Sequence, residues 1–275
     1  MSKIKIVSDS SSDIVSLSDV PYESAPLKII TDEKLYTDNA ELDVEAMARD
    51  LLAYNGRSST SCPSPEDWLS AFGDAEEIIC ITITALLSGS YNTACIAKQL
   101  YEEQNPGRRV YVLNSRSTGP EMAIVIEKMR EMILDGKSFD EICAFIESYH
   151  TELLFVLSSM KNLANNGRVS KVAAKLAGIL GIRAIGKASE EGTLEMLDKV
   201  KGEAKTIEAL VGYMRQLGYK GGKVNIAHCL NESMAEKMKN AIASAFPNAQ
   251  TVVYKLRGLC SFYAEKGGML VGFEA

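Results

Sequence analysis

The sequence predicts a two-domain α/β protein, and three observations support this fold class. The chain has 275 residues, which is enough for two domains of ordinary size. In the first half, apolar β-branched runs alternate with segments of helical periodicity, a pattern typical of a parallel sheet with helices on both faces. In the second half, Glu-Glu-Gly at residues 190–192 has the composition of a hairpin turn. We therefore expect an N-terminal parallel-sheet domain over residues 1–158 and a C-terminal α/β domain with a mixed sheet over residues 159–275.

Helices of the first half are predicted where helical spacing lies between start and stop signals. Pro65 and Pro120 stand at first helical positions, and Gly136 is a helix-end signal. The predicted strands are residues 4–8, 25–30, 77–83 and 109–113, with a short extended piece at 36–38. The predicted helices are residues 44–53, 65–72, 88–104, 120–135 and 138–149.

The second half begins with an apolar strand and then turns polar. Asn-Asn-Gly-Arg at residues 165–168 is a loop signal. Residues 203–217 place Ile207, Leu210, Val211 and Met214 on one face of a long helix. The predicted strands are residues 153–157, 182–186, 194–197, 224–228, 251–255 and 270–273. The predicted helices are residues 170–176, 203–217 and 234–245.

Composition and charge exclude several function classes. The net charge of −6 argues against a general nucleic-acid binder, which needs clustered lysine and arginine. No apolar stretch has the length of a signal peptide or a membrane span, so we expect neither export nor integral membrane association. The six cysteines form no Cys-x-x-Cys pair and no metal-ligand spacing with a histidine. A reducing, cytoplasmic compartment is the simplest interpretation.

The turn around Ser88 has the composition of an anion site. It joins an apolar strand at residues 78–83 to a helix that runs to about residue 104, and Ser88 is the expected cap of that helix. The start of a helix leaves backbone N–H groups unpaired, with the positive end of the helix dipole behind them. We therefore expect an anion to bind at this turn.

Two further turns are rich in hydroxyl groups. Thr-Ser-Cys-Pro-Ser-Pro at residues 60–65 fits a helix entry capped by Ser64, but Thr60 and Ser61 could also donate hydrogen bonds into a pocket. Asp-Ser-Ser-Ser-Asp at residues 9–13 follows the first strand, where ligands approach open α/β sheets. We favour Asx-turn and helix-cap chemistry there over a metal site, because hydroxyls are poor substitutes for carboxylate ligands.

The sequence gives little support to a hydrolase or to a nucleotide-binding protein. Ser88 lacks the Gly-x-Ser-x-Gly context of hydrolases, and the histidines are His150 at a helix end and His228 at a strand end. A hydrolase that uses Ser88 and His228 is therefore a minor hypothesis. Neither Gly-x-Gly-x-x-Gly nor a P-loop is present, so nucleotide binding has no sequence support. Arg168 follows Gly167 in a turn, which fits a lone surface arginine, but near a hydroxyl cluster it would supply the charge that a buried carboxylate needs.

Taken together, these sequence motifs make the chain resemble the DegV family, the fatty-acid-binding proteins of Gram-positive bacteria. The matching signatures run in order along the whole chain, and each is weak alone. They are residues 8–14 (Ser-Asp-Ser-Ser-Ser-Asp-Ile), 26–29 (Pro-Leu-Lys-Ile), 36–38 (Tyr-Thr-Asp), 60–65 (Thr-Ser-Cys-Pro-Ser-Pro), 87–91 (Leu-Ser-Gly-Ser-Tyr) and 166–171 (Asn-Gly-Arg-Val-Ser-Lys).

The resemblance implies two α/β domains with a lipid tunnel between them. The tunnel would hold a long-chain fatty acid whose carboxylate accepts hydrogen bonds from Thr60 and Ser88. Arg168 would belong to the same network or help to recognise a kinase partner, and Ser61 and Gly89 would complete the pocket. Some family members present the lipid to a separate kinase subunit that makes acyl phosphate, so the implied partners are the fatty acid and a fatty acid kinase catalytic subunit. The resemblance implies no catalytic residue, metal or cofactor.

The sequence departs from the family pattern at four places. Cys62 stands where glutamine is usual, residues 166–168 replace Gly-Gly-Arg, and residues 114–115 replace Asp-Ser. Tyr263 stands where the family carries a histidine. A tyrosine hydroxyl still donates to a carboxylate but carries no charge, so this change bears more on kinase coupling than on lipid binding.

Two other function classes stay open on the sequence alone. The first is an enzyme, either the Ser88 and His228 hydrolase or a phosphotransferase similar to dihydroxyacetone kinase relatives. The second is a ligand-gated regulator with a protein partner. The length and unsaturation of a bound acyl chain do not follow from periodicity.

Overall fold

A computed structural model of the chain describes residues 4–170 and 181–275. Helices and strands alternate along most of this length. The strands are β1 (Ile4–Asp9), β2 (Tyr22–Ala25), β3 (Lys28–Thr31), β4 (Leu35–Thr37), β5 (Ser58–Ser61), β6 (Glu77–Thr82), β7 (Arg109–Asn114), β8 (Thr151–Leu157), β9 (Ile182–Ala188), β10 (Leu194–Lys201), β11 (Gly222–His228), β12 (Ala249–Lys255) and β13 (Met269–Glu274). The helices are α1 (Val44–Ala53), α2 (Pro65–Phe72), α3 (Ser90–Gln104), α4 (Pro120–Leu134), α5 (Phe139–Ser148), α6 (Lys161–Asn165), α7 (Glu203–Gln216), α8 (Glu232–Ala245) and α9 (Gly258–Ala264).

The N-terminal sheet is parallel, as the alternating pattern predicted. Its strand order is β2-β1-β6-β7, and every neighbouring pair is parallel. Helices α2 and α3 cover one face through a cluster that includes Trp68, Phe72 and Tyr101. Helices α4 and α5 cover the other face, where Met122 and Ile142 are buried. This α/β/α arrangement brings the carboxyl ends of β1 and β6 to one edge, where ligands bind in such sheets.

The second sheet is mixed, which confirms the expected C-terminal architecture. Its strand order is β10-β9-β8-β13-β11-β12. Only β11 and β12 pair in parallel within this sheet, and β9 and β10 form the hairpin predicted at residues 190–192. Helices α7 and α8 cover its outer face. The opposite face turns toward the N-terminal half of the chain, because α4 packs against β13, β11 and β8.

A small third sheet corrects the prediction of one strand over residues 25–30. Strand β2 ends at Ala25 in the parallel sheet, and β3 starts at Lys28 in an antiparallel sheet with β4 and β5. Pro26 separates the two strands, and proline has no N–H to continue a ladder. Leu27 donates its N–H to the Ser10 hydroxyl, at 3.0 Å, instead of to a strand.

Most other predicted elements are confirmed to within two or three residues. Helices α1 and α2 have the predicted bounds, and Ser64 and Ser138 both form capping boxes. Strand β5 and helices α6 and α9 were not predicted. The helix predicted at residues 170–176 falls almost wholly outside the described residues.

The expected domain boundary at residue 158 stays a prediction. Strand β8 precedes that residue, but it pairs with β9 and β13 of the mixed sheet. By sheet membership, the second unit therefore begins with Thr151. Among the described residues, no helix is long and apolar enough to cross a lipid bilayer.

Glu121 links the two halves of the chain through a hydrogen bond, and its ionisation should make the stability of the fold depend on pH. Its buried carboxyl group accepts hydrogen bonds from the Ser117 hydroxyl and, at 2.8 Å, from the Thr151 hydroxyl. Burial raises the pKa of Glu121 from 4.5 to about 7. Folding therefore favours the protonated carboxyl, and the stability that this preference gives is lost as the pH rises through about 7.

We expect Glu121→Gln to remove that loss, because glutamine resembles the protonated acid. The free energy of unfolding of the variant, relative to the wild type, should rise by on the order of 2 kcal/mol between about pH 5 and about pH 8. Denaturant titrations at the two pH values measure it. Glu208→Gln, at an exposed position on α7, should show no such rise. Equal pH dependence in the wild type and Glu121→Gln would contradict the prediction.

Candidate functional site

A cavity of about 280 Å³ lies between the parallel sheet and the inner face of the mixed sheet. All six residues that the sequence proposed for a binding site line it. They are Thr60, Ser61, Ser88, Gly89, Arg168 and Tyr263. The structure thus brings together residues that are up to about 200 positions apart, and each comes from a turn, a strand end or a short helix.

One side of the polar end is built by Thr60 and Tyr263. Thr60 lies on β5, opposite Ile29 of β3. Its hydroxyl and the Tyr263 hydroxyl are 2.8 Å apart and share a hydrogen bond. Desolvation raises the pKa of Tyr263, although Thr60 and Arg168 act in the opposite direction. Tyr263 therefore stays a neutral hydroxyl group that can donate to an anion.

The turn before α3 forms the second side. Helix α3 starts at Ser90, and Gly89 rather than Ser88 occupies the position before it, so the predicted cap is one residue too early. The Ser88 hydroxyl accepts a hydrogen bond from the Ser90 N–H at 3.3 Å, which leaves its own proton free to donate to a ligand. A Cβ atom on Gly89 would lie 3.1 Å from Cys62 Sγ, so glycine keeps this turn close to the 60–62 segment.

Buried Asp9 holds this turn in place. Its carboxylate accepts hydrogen bonds from the Ile83 N–H at 2.9 Å and the Ser90 hydroxyl at 2.6 Å. It also accepts from both the N–H and the hydroxyl of Ser11. Burial raises the pKa of Asp9, and these donors oppose that shift. The preferred Asx-cap interpretation of residues 9–13 is confirmed, because Asp9 caps the short helical turn at Ser10–Ser12.

Two other buried aspartates position α9, which carries Tyr263. Asp38 accepts the N–H groups of Gly258 and Leu259 at 2.9 and 2.8 Å. Asp13 accepts the Arg257 N–H at 2.9 Å, and burial raises the pKa of Asp13 to about 8. A Cβ atom at position 258 would lie 2.6 Å from Asp38 Cγ, so this approach requires glycine.

Arg168 is the only charged side chain among the described residues that line the cavity. Its Nε donates to the Leu87 carbonyl at 3.1 Å, and its Nη1 donates to the Asn166 carbonyl. Asn166 in turn donates to the Ser58 carbonyl at 3.3 Å, which ties the loop to β5. The guanidinium group is half-buried and retains further N–H donors for an anion.

The rest of the cavity wall is apolar. Leu153, Phe155 and Leu157 alternate along β8, so all three side chains project from the same face of the mixed sheet. Leu194 and Leu270 lie on the strands β10 and β13. A ligand that fits this cavity is an anion at one end and a hydrocarbon along the rest.

Sequence reasoning did not identify these apolar wall residues. Their period of two is hidden within the continuous apolar run at residues 153–157, which also buries its other face. Thr118 and Cys260 were also missed, and their side chains are 3.5 Å apart in the wall. Asp13 lies in a predicted cap turn and Asp38 ends a predicted extended piece, but no local signal links either carboxylate to a helix more than 200 residues later.

The structure does not unite Ser88 and His228 as a catalytic pair. His228 is absent from the described lining of the cavity, and its Nδ1 accepts the Asn231 N–H at 3.3 Å. Burial lowers the pKa of His228. His228 is thus a buried, hydrogen-bonded histidine at a strand end, and the hydrolase hypothesis gains no support from it. Within residues 4–170 and 181–275, no group of three or more potential metal ligands is found.

Comparisons with known proteins extend over the full chain. A family model described as an uncharacterised protein of the DegV family matches residues 3–275. A DegV domain-containing protein from Streptococcus gordonii is 41% identical over 276 residues, with 98% of each protein covered. A DegV domain-containing protein from Streptococcus pneumoniae is 40% identical, with the same coverage.

Solved structures with the same fold contain fatty acids. A DegV family protein from Eubacterium eligens, loaded with heptadecanoic acid, is 43% identical, with a TM-score of 0.97 and 99% of both chains covered. The Fatty Acid Kinase (Fak) B3 protein of Streptococcus pneumoniae, loaded with linoleic acid, is 40% identical with a TM-score of 0.97. The match covers 100% of this chain and 99% of the Fak B3 chain.

Proposed function

The chain belongs to the DegV family, and we propose that it binds one long-chain fatty acid in the cavity between its parallel sheet and its mixed sheet. The carboxylate lies among Thr60, Ser61, Ser88, Gly89 and Tyr263, beside Arg168. The observation that carries this proposal is the cavity itself. Its described lining has hydroxyl groups and one cation at one end and leucine and phenylalanine side chains over the rest.

The chemistry of this lining suits a carboxylate. A buried carboxylate is costly unless it is hydrogen-bonded or paired with a cation. The Ser88 hydroxyl can donate to it, as can whichever hydroxyl of the Thr60–Tyr263 pair does not donate within the pair, and the N–H groups at the start of α3 add a favourable dipole. Arg168 supplies the opposite charge. The acyl chain adds about 0.8 kcal/mol for each CH₂ group that leaves water.

We further propose that the protein acts as a carrier rather than as an enzyme, and that it presents its fatty acid to a kinase subunit. The name of the Streptococcus pneumoniae relative, a Fatty Acid Kinase (Fak) B3 protein at 40% identity, supports this partner. The separation of Ser88 from His228 supports a non-catalytic role. Six free cysteines support action in the reducing cytoplasm.

We expect Ser88→Ala to weaken fatty acid binding roughly tenfold, because a hydrogen bond to a charged group contributes about 1.5 kcal/mol or more. Isothermal titration with palmitic acid measures the dissociation constant. Ser16→Ala removes an exposed hydroxyl that does not line the cavity, so it should bind like the wild type. Unchanged affinity in both Ser88→Ala and Thr60→Val would contradict this placement of the carboxylate.

A further inference from the structure

Phe155 occupies the middle of the sheet-side wall of the cavity, directly opposite a glycine. Strands β8 and β9 are antiparallel neighbours, and their register pairs Phe155 with Gly186. Residues paired in this way project from the same face of the sheet, so the Phe155 ring and the missing side chain of Gly186 share the cavity face. Phe155 is buried, although it lines the cavity.

The Phe155 ring lies directly against the backbone of Gly186. A Cβ atom built on Gly186 would lie 2.2 Å from Phe155 Cζ and 2.6 Å from Cε2. No other residue type would leave room for the ring in this position. Glycine therefore forms a recess in the sheet, and the ring lies in the recess instead of projecting into the cavity.

We propose that the Phe155–Gly186 pair sets the width of the cavity beside β8 and thereby its selectivity for acyl chain shape. This inference rests on the proposed fatty acid function. A saturated chain adapts to a narrow passage by bond rotation, whereas a cis double bond fixes a kink that needs width at one place. The relatives loaded with heptadecanoic and linoleic acids show that chains of both shapes bind to this fold.

Two substitutions should act in opposite directions. Phe155→Ala removes the ring and widens the passage, so binding of a kinked chain improves relative to a straight one. Gly186→Ala displaces the ring into the cavity and has the reverse effect. The Cβ atom of Gly186→Ala would also lie 2.4 Å from the Glu195 carbonyl oxygen, which strains the β9–β10 hairpin. Phe155→Leu is therefore a second variant that avoids this strain.

The test is the ratio of the dissociation constants for stearic and oleic acids, which have equal numbers of carbons and differ by one cis double bond. We expect Phe155→Ala to shift the ratio toward oleic acid by about tenfold, a change typical of reshaping an apolar pocket. Phe155→Leu should shift it less, in the same direction. A ratio is insensitive to the fraction of protein that is folded, so partial misfolding does not affect it.

Leu157→Ala is the matched control. Leu157 lies on the same face of β8 but pairs with Ala184, so this variant should weaken both acids alike. An unchanged ratio in Phe155→Ala and Phe155→Leu, or an equal shift in Leu157→Ala, would overturn the inference and leave the proposed function standing. Failure of the wild type to bind either acid would instead overturn the proposed function, and this inference with it.

Discussion

Replacing Arg168 with methionine should reduce the affinity for palmitic acid roughly a hundredfold. Arg168 is the only cation among the described residues that line the cavity, so the variant leaves a buried carboxylate without an opposite charge. Removing one partner of such a pair costs about 3 kcal/mol, and 1.4 kcal/mol corresponds to a factor of ten in the dissociation constant. Isothermal titration of the wild type and the variant measures the difference.

The same variant should bind hexadecanol about as well as the wild type does. The alcohol has the same hydrocarbon chain but no charge, so it separates loss of the ion pair from damage to the cavity. Arg116→Met is the matched control, because Arg116 is exposed and does not line the cavity. An equal loss of affinity for the acid and the alcohol would show that Arg168 holds the loop rather than the ligand.

Replacing Asp9 with alanine should lower the free energy of unfolding by about 4 kcal/mol. The Asp9 carboxylate accepts four hydrogen bonds, from two donors in Ser11 and one each in Ile83 and Ser90. Its removal leaves buried donors unpaired beside the start of α3. Because Ser88 and Gly89 immediately precede that helix, we also expect weaker fatty acid binding in the folded fraction.

Denaturant titration measures this loss of stability. Asp9→Asn tests whether the loss comes from the missing hydrogen-bond acceptors. Asparagine keeps one acceptor oxygen, so its destabilisation should lie between the wild type and Asp9→Ala. Asp74→Ala, at an exposed position, should change the free energy of unfolding by no more than about 0.5 kcal/mol. Similar stabilities for Asp9→Ala and Asp74→Ala would mean that Asp9 does not organise this edge of the sheet.

The sequence predicted the helices and strands whose start and stop signals lie next to them in the chain. Helix α2 has Ser64 and Pro65 at its start, and both its bounds are as predicted. Helix α9 was not predicted, because the residue before its start at Gly258 makes no side-chain cap hydrogen bond. The carboxylates that accept its first N–H groups come from Asp38 and Asp13, more than 200 residues earlier in the chain. Hydrogen bonds at such a separation leave no periodic pattern in the sequence.

The residues of the candidate site also divide into those predicted from neighbouring residues and those that only folding brings together. The turn at Ser88 was predicted from a strand, a hydroxyl and a helix start, which lie next to one another in the sequence. Thr60 and Arg168 were candidates from their own turns, but Tyr263, and the meeting of all three at one site, followed only from the resemblance to a known family, because only folding brings them together. The apolar wall around Phe155 was not predicted, because a strand buried on both faces has no alternation to reveal which side faces a cavity.

Whether the chain carries a fatty acid is tested directly by mass spectrometry of the purified protein under native conditions, followed by extraction of its lipid. We expect one long-chain fatty acid per chain, and its length and unsaturation would identify the cargo. A protein that is purified without a fatty acid, and that takes up none on incubation with one, would contradict the proposed function.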